Sequence, residues 1–323
     1  MDALAGLLDG PRARGAFLLR MVMEPPWSVR IEDRAPLCLM SMTHGEAWIV
    51  PAGATDPVLL RPGDIAIARG PEPYIVADTP DTAPHARIGP GGACGTLRGE
   101  PLSESMHLGV RTWGNAPDGA ANMLIGTYLL EGEISRRLLD ALPPLLLLPS
   151  DDRSDPLLML LDAEISRDEP GQSVVLDRLL DLLLIAVLRS WFSRPGAEGP
   201  AWYRAMGDPV VGQALRLLQN EPAHPWTVAA LAARTGVSRA GLARRFTELV
   251  GEPPMAYLTG WRLAVAADLL RETDATVEAV ARKVGYSGSF AFSTAFKRGR
   301  GVSPQEYRRG HGLPNRQQSS PPA

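Results

Sequence analysis

The chain has 323 residues, 45% of them hydrophobic and 21% charged, with a net charge of −3 and only two cysteines. Length and composition suit two globular domains of ~150 residues and exclude a chain disordered throughout, and Cys38 and Cys94 are too few for a disulfide framework. The N-terminus lacks the basic start, apolar stretch and cleavage site of a secretion signal, and the apolar run from Leu179 to Leu188 carries Asp181 between Arg178 and Arg189, so a soluble, cytoplasmic protein with no membrane partner is expected.

From Phe17 to about Tyr128, short apolar runs (FLLRMVM, PLCLMSM, EAWIVP, PVLLRPGDIAIARG, YIVAD, NMLIGTYLL) are broken by Pro and Gly. Without a sustained 3.6-residue period, they predict an all-β sandwich or barrel. The segment LPPLLLLP, from Leu142, is too proline-rich for a helix and reads as a buried extended connection. Helices are expected over Pro156–Arg167 and Val174–Trp191, the second with Leu176, Leu179, Leu180, Leu183, Leu184, Val187 and Leu188 on one broad apolar face. The breaker cluster SRPGAEGP opens a linker at 193–208, helices follow over 209–310, and 311–323 reads as a disordered tail.

The C-terminal third contains an internal repeat: TVAALAARTGVS at 227–238 aligns with TVEAVARKVGYS at 276–287, a displacement of 49 residues. Each copy opens on a threonine suited to capping a helix, Thr227 or Thr276. Apolar residues one turn apart follow, Val228, Leu231 and Ala232 or Val277, Val280 and Ala281. A glycine then marks a sharp turn, Gly236 or Gly285, and an apolar residue, Val237 or Tyr286, fills the angle between two helices. The second helix of each pair should bury Leu242, Phe246 and Leu249 in one copy, and Phe292 with Phe296 in the other, where the turn is one residue longer. Between the copies, PPMAYLTGWRLAVAADLL at 253–270 reads as a long amphipathic helix, with prolines only at its tolerant start.

Paired helices joined by glycine turns also occur in ordinary bundles. Here, however, the second helices are basic, through Arg239, Arg244 and Arg245 in one and Lys297 and Arg298 in the other. Residues 1–207 carry 18 Lys+Arg against 27 Asp+Glu, whereas 208–323 carry 15 against 9, so the positive surplus lies with the repeat. Two basic readers held apart by a helix suit successive major-groove turns of double-stranded DNA, roughly 34 Å apart.

Over Trp226–Arg309 the segments WTVAALAARTGVS, LARRF, VARKVGY, FSTAFKR and GVSPQEYR resemble the DNA-binding domain of the AraC/XylS family. Upstream, FLLRMVM, PPWSVRI, RPGDIAIARG, LLDALPPLL and LRSWF resemble the cupin-type sensor domain of one subgroup. The resemblance implies a cupin-like sensor and dimerisation domain over 1–192 and a double helix-turn-helix domain over 209–310. It places Arg239, Ala240, Ala243 and Arg244, and then Ser289, Phe290, Ser293 and Thr294, against base edges of promoter DNA. Arg244 is the expected bidentate reader. Thr227, Thr276, Arg245, Lys297 and Arg298 are candidates for phosphate contact, the two threonines equally for plain caps. Phe290 departs from the polar residue usual at its position. It reads either as a contact to a thymine methyl or as a residue of the core or its edge, the latter being the expectation. Thr294 stands where relatives often carry arginine, and Arg300 where they often carry an aromatic.

Enzymatic cupins hold metal with a His-x-His pair plus a further Glu and His. The nearest segment here offers only His44 and Glu46, Tyr74 stands in place of a later histidine, and His85 and His107 are isolated. Neither a catalytic residue, a metal nor a cofactor is therefore expected, and a metal-dependent cupin enzyme with a helical appendage is the alternative. Trp27, Trp48 and Tyr74 are candidate linings for a small-molecule effector pocket, or simply core. Cys94, in the glycine-rich GPGGACGTL, is expected to be accessible but inert, since Arg87 and Arg98 are its nearest basic neighbours in sequence. A homodimer through the 174–191 helix, a barrel that only dimerises, and RNA polymerase as a partner of an activator complete the expectations.

Overall fold

The computed structural model describes residues 17–53, 56–128, 139–140, 142–150, 156–194 and 201–310. The tail at 311–323 and the core of the expected linker at 195–200 lie outside them. The described residues fall into two compact units, those up to 194 and those over 201–310.

The first unit contains the strands β1 (Phe17–Met23), β2 (Ser28–Ile31), β3 (Leu37–His44), β4 (Ala47–Pro51), β5 (Val58–Leu60), β6 (Ile65–Arg69), β7 (Tyr74–Ala77), β8 (Ala86–Ile88), β9 (Cys94–Thr96), β10 (His107–Gly109), β11 (Thr112–Gly114), β12 (Ala121–Tyr128) and β13 (Leu145–Leu148). They form two sheets, ordered β10-β11-β1-β12-β3-β6-β13 and β5-β4-β7-β2-β8-β9. Their inner faces share one core. Met21, Met123 and Met42 make a cross-strand row on the first sheet, packed with Val29, Ile49 and Val76 from the second. The run PLCLMSM, apolar apart from Ser41, has a direct cause: β3 is buried on both faces from Leu37 to Met42. The leucines after Pro144 form the expected extended segment, here strand β13 paired antiparallel with β6.

Two helices follow, α1 (Pro156–Ile165) and α2 (Gln172–Phe192). Leu176, Leu180, Leu183, Leu184, Val187 and Leu188 are buried as the leucine periodicity predicts, while Leu179 is half-buried. The buried Tyr128 hydroxyl donates to the Leu180 carbonyl at 2.8 Å, and Gly126 leaves room for the Leu180 side chain. The C-terminal end of β12 thereby anchors α2.

The second unit is helical: α3 (Ala201–Ala205), α4 (Val211–Asn220), α5 (Val228–Thr235), α6 (Arg239–Val250), α7 (Pro254–Glu272), α8 (Val277–Lys283), α9 (Ser289–Arg300) and α10 (Pro304–Gly310). It has two cores. Leu218, Leu231, Leu242 and Phe246 surround the first, and Val280, Phe292, Phe296 and Tyr307 the second. Helix α7 serves both, with Tyr257, Leu258 and Trp261 in one and Leu263, Ala267 and Leu270 in the other. Leu249 departs from expectation: at the end of α6 it is 38% exposed, because the chain leaves the core at Gly251, in left-handed conformation.

The first cap and the turn of the repeat recur in both copies. Thr227 and Thr276 each accept a hydrogen bond from the backbone three residues on, both at 3.1 Å. The amides of Val237 and Tyr286 reach back to Ala232 and Ala281. The two glycine turns nevertheless differ in their surroundings. Gly236 faces open space at φ 71°, whereas a Cβ on Gly285, at φ 85°, would lie 2.7 Å from the Ala223 Cα and 2.8 Å from an Arg262 nitrogen. Arg262, on α7, donates to the carbonyls of Pro222 at 2.6 Å and His224 at 2.9 Å, with its guanidinium 5.9 Å from the centre of the Tyr286 ring.

Asp208 similarly joins α4 to α6. Its carboxylate accepts from the amides of Val210 and Val211 and, at 2.9 Å, from Arg245. Burial alone would raise the Asp208 carboxyl, but these bonds outweigh it and hold it below the usual carboxylate range.

Two stability outcomes follow from this geometry. Gly236→Ala should cost about 1 kcal/mol, the left-handed backbone alone, whereas Gly285→Ala should cost about 3 kcal/mol, because backbone at residue 223 must also move; urea titration of the full chain compares the two. The Asp208 contribution is complete above the unfolded carboxyl value near pH 4 and is lost as pH falls through the lower folded value. Unfolding curves between pH 2.5 and 6 should therefore show a shallower acid limb for Asp208→Asn than for the wild type.

Candidate nucleic-acid interface

Helix α6 begins at Ser238, whose hydroxyl accepts from the Gly241 amide at 3.1 Å and so sets the helix direction. With Leu242 and Phe246 fully buried, the opposite face carries Ala240 and Arg244, both exposed, flanked by the half-buried Ala243, and Arg239 is exposed in the first turn. Arg244 lies 3.8 Å from Glu248 with 79% of its side chain exposed, a pairing too loose and too wet to hold it. Arg245 differs. Its guanidinium donates to the Asp208 carboxylate at 2.9 Å while 46% of the side chain stays exposed.

Helix α9 presents Ser289, Phe290, Ser293 and Thr294 at the corresponding positions. Phe290 is 86% exposed, so the core placement expected for it is wrong: Phe292 and Phe296 fill the core from the other side of the helix. The Ser289 amide donates to Glu278 at 2.9 Å. The Ser289 hydroxyl and amide together hold the Glu278 carboxyl below its usual range. The Thr294 hydroxyl donates to the carbonyl of Phe290, one turn back. Lys297 and Arg298 are exposed in the last turn, while Thr227 and Thr276 act as helix caps.

The first unit holds a cavity of about 540 Å³ inside the sandwich, its wall largely apolar, with Met21, Met40, Val76 and Ile125 among its linings and Arg34 and Arg111 among its charged groups. Tyr74 lines it. Trp27 belongs instead to the sandwich core, fully buried, and Trp48 stays outside the lining because on β4 it alternates with the core residues Ala47 and Ile49 and so lies on the outer face of its sheet. Sequence alone missed that both cysteines line this cavity. Cys94 sits in β9, half-buried, rather than in an open loop. Burial pushes the Cys38 thiol up to about 11 and raises that of Cys94, so both remain protonated near neutrality. His44 and Glu46 are exposed, and Glu46 pairs with Arg61 at 3.6 Å. Among the described residues, no cluster of three or more His, Cys, Asp or Glu could hold a metal, and no helix is long and apolar enough to cross a membrane.

Residues 2–193 match the family described as Cupin, and residues 231–310 match a helix-turn-helix domain. A Streptomyces lividans protein named as an AraC-like transcription regulator is 30% identical over 318 residues, covering 97% of this chain and all of that protein. A Streptomyces antibioticus protein of the same name is 31% identical over the same shares. The DNA-binding domain of AdpA, solved in complex with a target DNA, is 33% identical over 32% of this chain and 93% of its own, with a TM-score of 0.31. A β-rich cupin domain, a C-terminal helix-turn-helix domain and full-length relatives together assign the chain to the family of AraC-like DNA-binding transcription regulators.

Proposed function

We propose that residues 209–310 form two helix-turn-helix units joined by α7, and that α6 and α9 enter successive major grooves of promoter DNA, with 1–192 as the sensing and dimerising part and 193–208 as the connection. The observation that carries this reading is the division of labour on α6. Of its three arginines, Arg245 is tied to Asp208, whereas Arg239, in the first turn, and Arg244, on the side away from Leu242 and Phe246, are exposed and free of such a tie. A planar guanidinium with two donors in a fork suits the O6 and N7 of guanine, and Ala240 and Ala243 let the helix approach closely. Lys297 and Arg298 supply phosphate contacts, which position without specifying.

The cavity supports an effector as the controlling signal. At 540 Å³ with a mainly apolar wall, it suits a small, largely apolar molecule, and Arg34 and Arg111 offer hydrogen-bond donors to fix its orientation. Both arginines hold left-handed backbone, at φ 58° and 48°, a conformation found at ligand clamps. Exposed Val174, Val175 and Leu182 on α2 support a homodimer. An activator would further engage RNA polymerase.

Fluorescence anisotropy against selected and scrambled duplexes, over a range of salt, tests the DNA reading. Arg244→Ala should reduce the specific-to-scrambled affinity ratio about tenfold, a loss of ~1 to 3 kcal/mol of discrimination; an unchanged ratio removes Arg244 from the reading set. In a thermal-shift screen of apolar small molecules, a ligand that binds only the native state should raise the melting temperature. A screen in which nothing moves favours a barrel that only dimerises.

A further inference from the structure

The two recognition helices present opposite chemistry at equivalent positions. Where α6 carries Arg239 and Arg244, α9 carries Ser289 and Thr294, and both hydroxyls are turned back onto the protein, Ser289 to Glu278 and Thr294 to the carbonyl of Phe290. The Glu278 carboxylate also accepts the Ser289 amide, so a negative group already occupies the N-terminus of α9, where a phosphate would otherwise dock. What this face offers outward is Phe290, 86% exposed.

A benzyl group in the major groove meets one apolar feature on the base edges, the C5 methyl of thymine. We propose that Phe290 is a specificity-determining residue that reads a thymine methyl. The operator is then chemically asymmetric, with a hydrogen-bonded, guanine-containing half under α6 and a methyl-read, thymine-containing half under α9. The inference rests on the double helix-turn-helix reading above and adds the code of its second half. It also explains why α9 carries its cations, Lys297 and Arg298, in the last turn: they anchor the backbone and leave selection to the first turn.

The test begins by selecting duplexes from a random library with the full chain. Repeating the selection with Arg244→Ala identifies the half-site read by α6 as the one whose preference relaxes. Thymidines in the other half are then replaced one at a time by deoxyuridine, which removes only the methyl, and affinity is measured by anisotropy at fixed salt. At one position the wild type should bind about fourfold more weakly, the factor expected for burying one CH₂-sized group. Phe290→Ala should bind the thymidine and deoxyuridine duplexes equally; because the residue is exposed, its thermal unfolding should match the wild type. The proposal is overturned if no deoxyuridine weakens binding. It is equally overturned if Phe290→Ala remains sensitive to the methyl, or weakens while the wild type ignores it, which would make Phe290 a stacking wedge. A wild-type chain that enriches no sequence at all overturns the regulator reading itself, a result distinguishable from both.

Discussion

The bidentate grip of Arg262 on the carbonyls of Pro222 and His224 is the interaction on which the DNA-binding unit depends. The unit has two small cores, and a shared helix alone leaves each able to pivot about it. Arg262 projects from α7 at the boundary between the two cores, bonds the loop entering the first helix pair, and lies against Tyr286 of the second. Charge-assisted bonds with fork geometry restrict rotation in a way that apolar contact does not. Gly285 is the complementary constraint: the absence of a side chain there lets the second turn close against Ala223.

The N-terminal unit answers a different requirement, a space that stays open inside a close-packed fold. Interiors normally exclude voids of this size. Here two sheets support each other while β3, buried on both faces, and α2, fastened by the Tyr128 hydroxyl, hold the larger sheet rigid. The chemistry of the cavity is mild. Its two thiols are protonated, and its wall is mostly apolar, with Met21 and Met40 among its linings.

The first unit thus holds a concave, largely apolar cavity, and the second exposes arginines on α6 and cations on α9. The charge asymmetry between the two parts of the chain keeps the polyanion with the helical part, and the acidic surplus of the β-rich part discourages nucleic acid elsewhere.

Much of this was legible in the sequence, because its signals are local and periodic. The 49-residue repeat, the threonine caps, the glycine turns, the buried residues Leu231, Leu242, Phe246, Val280, Phe292 and Phe296, the leucine face of α2 and the extended segment after Pro144 all follow from spacing. The partners of side chains that reach across the fold did not follow. Nothing near Arg245 in sequence announces Asp208, 37 residues away, and nothing near Cys94 announces that it shares a cavity with Cys38. Periodicity misjudged Leu249, and the core or edge reading of Phe290 failed too, each residue standing on the first or last turn of its helix. There the apolar stripe has one neighbour instead of two, and the path of the adjoining chain decides which side is covered. The sequence by itself determined the class of protein and the elements that carry its function, since helix periods, caps and charge need no distant partner. Only the tertiary structure decided which arginines face outward, which aromatic is left in water and where the cavity lies, because each depends on residues brought together by folding.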